Sequence, residues 1–307
     1  MAMMTLTNPA STSDQLQTYF SKKLLPRALQ ELTYDQVCAK FPFPQNAGAT
    51  TIRMFRKQAG AASNVSSLTE GVPLAVDNEI AFDYVEATIA QYGQRYRISD
   101  VRSQVAIFDT LEQSIDSLGE NAALHADQVI RNEIVSGITG SGYKRYSGNA
   151  TTFNGLVALT NAQGKMVLTD LLDAMTQLGI ARAPKKNGEY VAIVPLQIVR
   201  DLLTDTNFVN KAVYQNSSDI MKGEVGKWYG VRILTDTVPW REANSNGTEG
   251  TFSASGPIFT SVVTGTDGFG CPIMAGGSPF SPKVIVVDKP DKLDALNQYI
   301  IVGAKTY

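Results

Sequence analysis

The sequence predicts an α+β protein with long projections, and three observations carry that expectation. Residues 103–135 repeat apolar side chains at 3-4 spacing over a length that ordinary helices do not reach. Residues 51–57 and 79–98 have strand composition and are separated by a stretch rich in Gly, Ala and Ser. Beyond residue 168, helical and strand patterns alternate to the end of the chain. At ~150 residues per domain, 307 residues make about two folding units.

The elements follow in order. Residues 1–13 (MAMMTLTNPASTS) are small, uncharged and aperiodic, the composition of an extended arm that takes its order from elsewhere. From Asp14, which can cap, Leu16, Tyr19, Phe20, Lys23, Leu24, Arg27 and Ala28 follow at helical spacing, so a helix interrupted near Pro26 is expected. The PFP step at 42–44 and the AGA around Gly48 close this section. The segments 51–57 and 79–98 then predict a long two-stranded hairpin. Its charges are segregated: Arg53, Arg56 and Lys57 lie on the first strand, while Glu70, Asp77, Glu79, Asp83 and Glu86 lie within residues 59–90, which hold no Lys or Arg. A lone two-stranded ribbon is marginal in water, and so long a loop is seldom idle, so these eight residues are expected at a subunit interface.

Residues 103–135 predict a strut helix. Its apolar stripe is Val105, Phe108, Leu111, Ile115, Leu118, Ala122, His125 or Ala126, Val129, and Glu133 or Ile134, with Ser99 or Ser103 as cap and Gly137 as stop. At 1.5 Å per residue it would span about 50 Å. Residues 137–155 read as a loop with a basic, aromatic spot at Tyr143, Lys144, Arg145 and Tyr146. Thr169 is expected to cap a helix over 171–180, residues 189–194 form an apolar strand, and Pro195 opens a helix through Leu203. Residues 223–237 read as a glycine-punctuated turn before a strand at 231–235. Residues 241–256 form a polar excursion, and residues 258–263 resume strand character. Residues 282–287 and 297–303 make a closing antiparallel pair across DKPDK.

Composition excludes several function classes. Lys+Arg 27 against Asp+Glu 29 gives −2, so the chain lacks the basic field of a dedicated nucleic-acid binder. Charged residues make up only 18%. Cys38 and Cys271 lie far apart and share no short spacing with the single histidine, His125, so no zinc pattern can be written. No stretch reaches the ~18 apolar residues of a membrane span, and residues 1–20 hold no basic segment followed by an apolar run, so a cytosolic or lysis-released protein is expected. The glycine clusters GITGSG and GTDGFG lack the spacing of a phosphate loop and read as turns. The carboxylate pairs Asp170/Asp173 and Asp201/Asp205 read as caps or solvated groups, and Trp228 and Trp240 as core or interface anchors. Neither a nucleophile context nor a cofactor motif emerges, so no enzyme and no cofactor are predicted.

The order of segments resembles the major capsid proteins of tailed bacteriophages, with the Hong Kong 97-type fold, and especially podovirus-like coat proteins. The resemblance rests on LQTYFSKKLLPRALQELTYDQV (16–37), LTEGVPL (68–74), VEATIAQYGQRYRISD (85–100), YVAIVPLQIVRDLL (190–203) and GEVGKWYGVRILTD (223–236), occurring together in order. It implies an N-terminal arm and helix over 1–50 and an extended hairpin loop over 51–98. It also implies a peripheral domain with a spine helix over 99–168 and 281–307, and an axial domain over 169–280. It further implies hexamers and pentamers of an icosahedral shell around double-stranded DNA, weakly touched by the inner face. Portal, scaffolding and decoration proteins would be partners, with assembly in the host cytoplasm and residence in the virion capsid. A mildly acidic, charge-poor chain suits a container that must not grip its packaged DNA, since a basic lining would impede packing. The competing readings are an encapsulin-type nanocompartment shell and a cytosolic α/β enzyme with a site near Asp201, Asp205, Lys211 and Tyr214.

Overall fold

The computed structural model describes residues 32–43, 50–58, 65, 67–68, 70–71, 79–106, 109–138, 141–159, 164–204, 224–242, 258–274, 282–288 and 296–306. The arm and helix expected over residues 1–31 lie outside them.

The strand expected at 79–98 is divided. Phe82–Thr88 (β3) pairs antiparallel with Thr51–Lys57 (β2), from Thr51 opposite Thr88 to Lys57 opposite Phe82, which makes the ribbon. After a break at 89–91, Tyr92–Ser99 (β4) leaves the ribbon and pairs with Tyr299–Thr306 (β13), which in turn pairs with Lys283–Val287 (β12). The composition of the two halves explains the split. Ile98 on β4 is buried and Tyr96 half-buried, so β4 needs a body to pack on, whereas β3 presents mostly exposed side chains. The closing antiparallel pair is formed as expected.

The strut is two helices. Asp100–Val105 (α1) is capped by Ser99, whose Oγ accepts from Arg102 N at 3.3 Å. Thr110–Gly137 (α2) starts afresh at Asp109, whose Oδ1 accepts from Leu111 N at 3.0 Å and Glu112 N at 3.2 Å. Asp109 is the capping signal that the sequence reading passed over. The stripe also drifts: Ile115 and Leu118 are buried as expected, but below them the buried positions are Ala123, Asp127 and Arg131, and Val105 on α1 is 76% exposed. Phe108 lies outside the described residues.

Two helices flank the second sheet. Leu168–Ile180 (α4) follows the short Phe153–Val157 (α3), and Leu196–Leu203 (α5) follows Tyr190–Pro195 (β5) with Pro195 at its cap. The start of α4 is held by Asp170 rather than Thr169: Asp170 Oδ2 accepts from Val167 N at 2.9 Å. Glu224–Trp228 (β6) and Val231–Asp236 (β7) form a hairpin where a turn and one strand were expected, with Tyr229 and Gly230 both at positive φ, 45° and 83°. Those angles suit a tight hairpin turn, which is why a glycine sits there. Trp240–Glu242 (β8) pairs with Ile258–Thr260 (β9); Val262–Thr264 (β10) joins the main sheet, whose order is β10-β5-β7-β6. Gly270–Met274 (β11) lies parallel to Ala39–Phe43 (β1). Pro42 sits within β1 rather than ending the segment, because in a two-stranded sheet an edge position tolerates a missing N–H.

Burial ties these parts together. The first half of α2 packs Ile115, Leu118 and Ala123 against Ile98, Val284, Val302 and Ala304 of the β12-β13-β4 sheet. Leu168 and Leu171 of α4 and Val199 and Leu202 of α5 cover Tyr190, Ala192, Val194, Val231 and Ile233 on one face of the main sheet. On its other face Val191, Ile193, Leu234 and Val262 meet Tyr34, Val37 and, from the second half of α2, Ile130 and Ile134. The strand β5 is therefore buried on both faces, which is why its sequence reads as an unbroken apolar run. The helix α2 bridges both sheets.

Candidate assembly surface

The ribbon is built by register and side-chain pairing. Alternation puts Thr51, Arg53, Phe55 and Lys57 of β2 on one face with Thr88, Glu86, Tyr84 and Phe82 of β3. On that face Arg53 Nε donates to Glu86 Oε1 at 2.6 Å, and the Arg53 guanidinium lies 4.9 Å from the centre of the Tyr84 ring. Phe55 and Tyr84 have ring centres 6.1 Å apart. Phe55, Phe82 and Tyr84 are 67%, 65% and 50% exposed, three aromatic rings on a surface that nothing in the chain's described residues covers. On the other face Arg56 donates to Asp83 Oδ2 at 2.8 Å, while Ile52, Met54 and Ala87 are half-buried near the root. The Arg56 hydrogen bonds hold the Asp83 carboxyl below its ordinary range.

Four of the eight ribbon charges thus pair with one another across the strands. Lys57, Glu70 and Glu79 are exposed, and Asp77 lies outside the described residues. The root is fixed by a close approach: a Cβ on Gly270 would fall 2.7 Å from Phe41 Cε2 and 3.1 Å from Met54 Sδ. Any side chain at this position would displace Phe41 or Met54, so a glycine suits the place where β11, β1 and the ribbon meet. That residue ends the GTDGFG cluster, which serves as the turn between β10 and β11.

Away from the ribbon's own pairs, α2 carries a buried polar tie that no local pattern in the sequence marks. Asp127 of α2 is 1% exposed, and its Oδ2 accepts from Thr33 N at 2.6 Å and Tyr34 N at 3.4 Å. The Tyr34 hydroxyl donates to Asp236 Oδ2 at 2.7 Å, and Val238 N donates to Asp236 Oδ1 at 2.8 Å. Arg131, 2% exposed, donates to Val238 O at 2.6 Å, and its guanidinium lies 5.3 Å from the Trp240 ring centre. One helix turn therefore holds the N-terminal segment and the end of β7. Burial pushes Asp127 up to about 7 against the hydrogen bonds from residues 33–35, and its Oδ1 is buried with no hydrogen-bond partner among the described residues. Burial raises Asp236 as well, opposed by the Tyr34 hydroxyl and by Val238 N–H, and it raises the Tyr34 phenol. The i, i+4 spacing of Asp127 and Arg131 was the available signal, but an acid and a base one turn apart ordinarily mark a solvated face.

The remaining candidates fall elsewhere. His125 is exposed and meets Tyr92 edge-on, with ring centres 4.6 Å apart. Trp228 and Trp240 are core anchors, and Asp170 caps α4. Asp201 pairs with Lys165 at 3.4 Å; Asp205, Lys211 and Tyr214 lie outside the described residues. Among the described residues no group of three His, Cys, Asp or Glu side chains is arranged to hold a metal, and no helix is long and apolar enough to cross a membrane.

Comparison with known proteins gives one consistent picture. A family model described as phage capsid protein matches residues 83–294. The major capsid protein of Escherichia phage T5 is 22% identical over 240 residues, which are 76% of this chain and 50% of that protein; the chain spans about half the length of this curated relative. The capsid of Ralstonia phage GP4 superposes with a TM-score of 0.63 at 14% identity, covering 90% of this chain and 85% of that one. The capsid of Cyanophage P-SCSP1u gives 0.59 at 15% identity over 90% and 83%, and that of Cyanophage Pam1 gives 0.56 at 12% over 91% and 86%. At these identities the structures share a fold of mixed helices and strands.

Proposed function

The chain belongs to the phage capsid protein family, and from that premise we propose that it is a major capsid protein whose copies assemble, as pentamers and hexamers, into an icosahedral shell around double-stranded DNA. A member of this structural family resides in the virion capsid, and its work is assembly rather than catalysis. The observation that carries the reading is the ribbon's uncovered aromatic face. A two-stranded ribbon has no core of its own, so Phe55, Phe82 and Tyr84 gain most by being covered. Sister molecules offer that cover many times over in a closed lattice.

In this reading the fold is of the Hong Kong 97 type. Residues 1–50 are the arm and residues 51–98 the extended loop, with β4 serving as its return into the body. Residues 99–168 and 281–307 form the peripheral domain and residues 169–280 the axial domain. The helix α2 is the spine that joins them, in keeping with its contacts to both sheets. Arg53, Arg56, Asp83 and Glu86 hold the ribbon in register, and Lys57, Glu70, Asp77 and Glu79 face the neighbouring copy. Assembly takes place in the host cytoplasm, and portal, scaffolding and decoration proteins complete the particle. Replacing Phe55 and Tyr84 by Ser tests this. Sedimentation of the variant is expected to show soluble, folded subunits and a loss of closed particles; unchanged particles would overturn the role given to the face.

A further inference from the structure

The sequence sets Cys38 and Cys271 far apart, yet the fold brings them together at the root of the ribbon. Strands β1 and β11 run parallel, with Ala39 opposite Gly270 and Lys40 opposite Cys271, and Ala39 N donates to Phe269 O at 3.0 Å. Side chains two apart share a face of a strand, so Cys38 and Cys271 are diagonal neighbours on the Lys40 side. Both are free thiols, Cys38 buried and Cys271 half-buried. Cys38 Sγ also donates to Asp35 O at 3.4 Å, and Lys40 pairs with Asp35 at 2.8 Å.

We propose that Cys38 and Cys271 form a reversible disulfide by exchange with a low-molecular-weight disulfide, stapling β1 to β11 and thereby fixing the root of the ribbon. The first protein thiolate attacks the donor RSSR, forms a mixed disulfide and releases one RS⁻. The second protein thiolate attacks the protein sulfur of that intermediate and expels the second RS⁻. The two protein S–H protons end on two RSH, so the protein pair is oxidised and the donor reduced. The hydrogen bond from Cys271 is the largest influence on the Cys38 thiol and lowers it against the effect of burial, which makes Cys38 the first of the two to attack. The hydrogen bond with Cys38, followed by burial, raises the Cys271 thiol, which makes it the second to react. A capsid protein persists outside cells, where thiols are no longer kept reduced, but the chemistry stands on the register of β1 with β11 and is independent of the assembly reading. The staple would link residues separated by most of the chain, the case in which a cross-link restricts the unfolded state most.

The test treats the purified full chain with oxidised glutathione at mildly alkaline pH. Free thiols are expected to fall from two to none per chain. The intact mass should be short by two hydrogens and carry no glutathione, and a peptide map without reductant should contain a Cys38–Cys271 cross-link. The oxidised chain should melt higher than the reduced one, and dithiothreitol should reverse every change. C271S should leave Cys38 with a glutathione adduct or unreacted, and without the melting shift. Retained thiols, adducts on both cysteines, cross-links only between chains, or an oxidised chain that melts no higher would each overturn the proposal.

Discussion

At the level of single residues, Asp127 is the most informative side chain. Burial lifts its carboxyl from an ordinary 3.8 to about 7, so between those values the folded chain holds a proton that the unfolded chain has lost. The contribution of this group to stability is fully present below about pH 4, falls as pH rises through 7 and levels off above. The difference in unfolding free energy between the wild type and Asp127→Asn, followed by urea titration from acid to neutral pH, is expected to shift steadily in favour of the variant as pH rises. A pH-independent difference would show that the carboxyl titrates normally. Removing the Tyr34 hydroxyl with Tyr34→Phe leaves a buried acceptor on Asp236 with one partner fewer, and a loss of about 1–3 kcal/mol is expected in the same assay. By contrast the Arg53–Glu86 pair, although 2.6 Å apart, is exposed, and a double-mutant cycle should return only about 0 to 1 kcal/mol. Nothing local in the sequence sets Asp236 apart from Glu86; depth of burial, which separates them, is a tertiary property.

At the level of elements, α2 shows what periodicity can and cannot convey. Ile115 and Leu118 were legible as core because apolar spacing marks them, and both are fully buried. Asp127 and Arg131 were not, because their burial depends on partners from residues 33–34 and Val238 that no local pattern reveals. The break before α2 was hidden for a different reason: the apolar stripe runs on through Val105, which the fold leaves exposed, while the stop is written in the cap at Asp109. Ile115→Ala is expected to cost about 2–5 kcal/mol in denaturant unfolding and Val105→Ala almost nothing. Equal effects would place the stripe of α1 in the core after all. The ribbon was legible from alternation and charge segregation, but its end was not, since β4 continues the same composition and only its pairing with β13 separates the two. The parallel contact of β1 with β11, and with it the cysteine pair, joins segments too distant for any spacing rule.

At the level of the whole molecule, packed bodies bridged by α2 and by the segment at residues 32–37 carry a ribbon whose aromatic face has no partner among the described residues. In the proposed reading the bodies carry the stability of the subunit and a neighbouring copy completes its projection. Deleting residues 59–78 should therefore leave thermal unfolding of the subunit nearly unchanged while electron micrographs show no closed shells; normal shells would mean that the ribbon's tip is dispensable. The most direct measurement is cryo-electron microscopy of the particles that the full chain forms. The expected map shows closed shells of pentamers and hexamers in which residues 51–88 lie across the adjacent copy with Phe55, Phe82 and Tyr84 covered by it. Solitary subunits, or a ribbon folded back on its own body, would contradict the account.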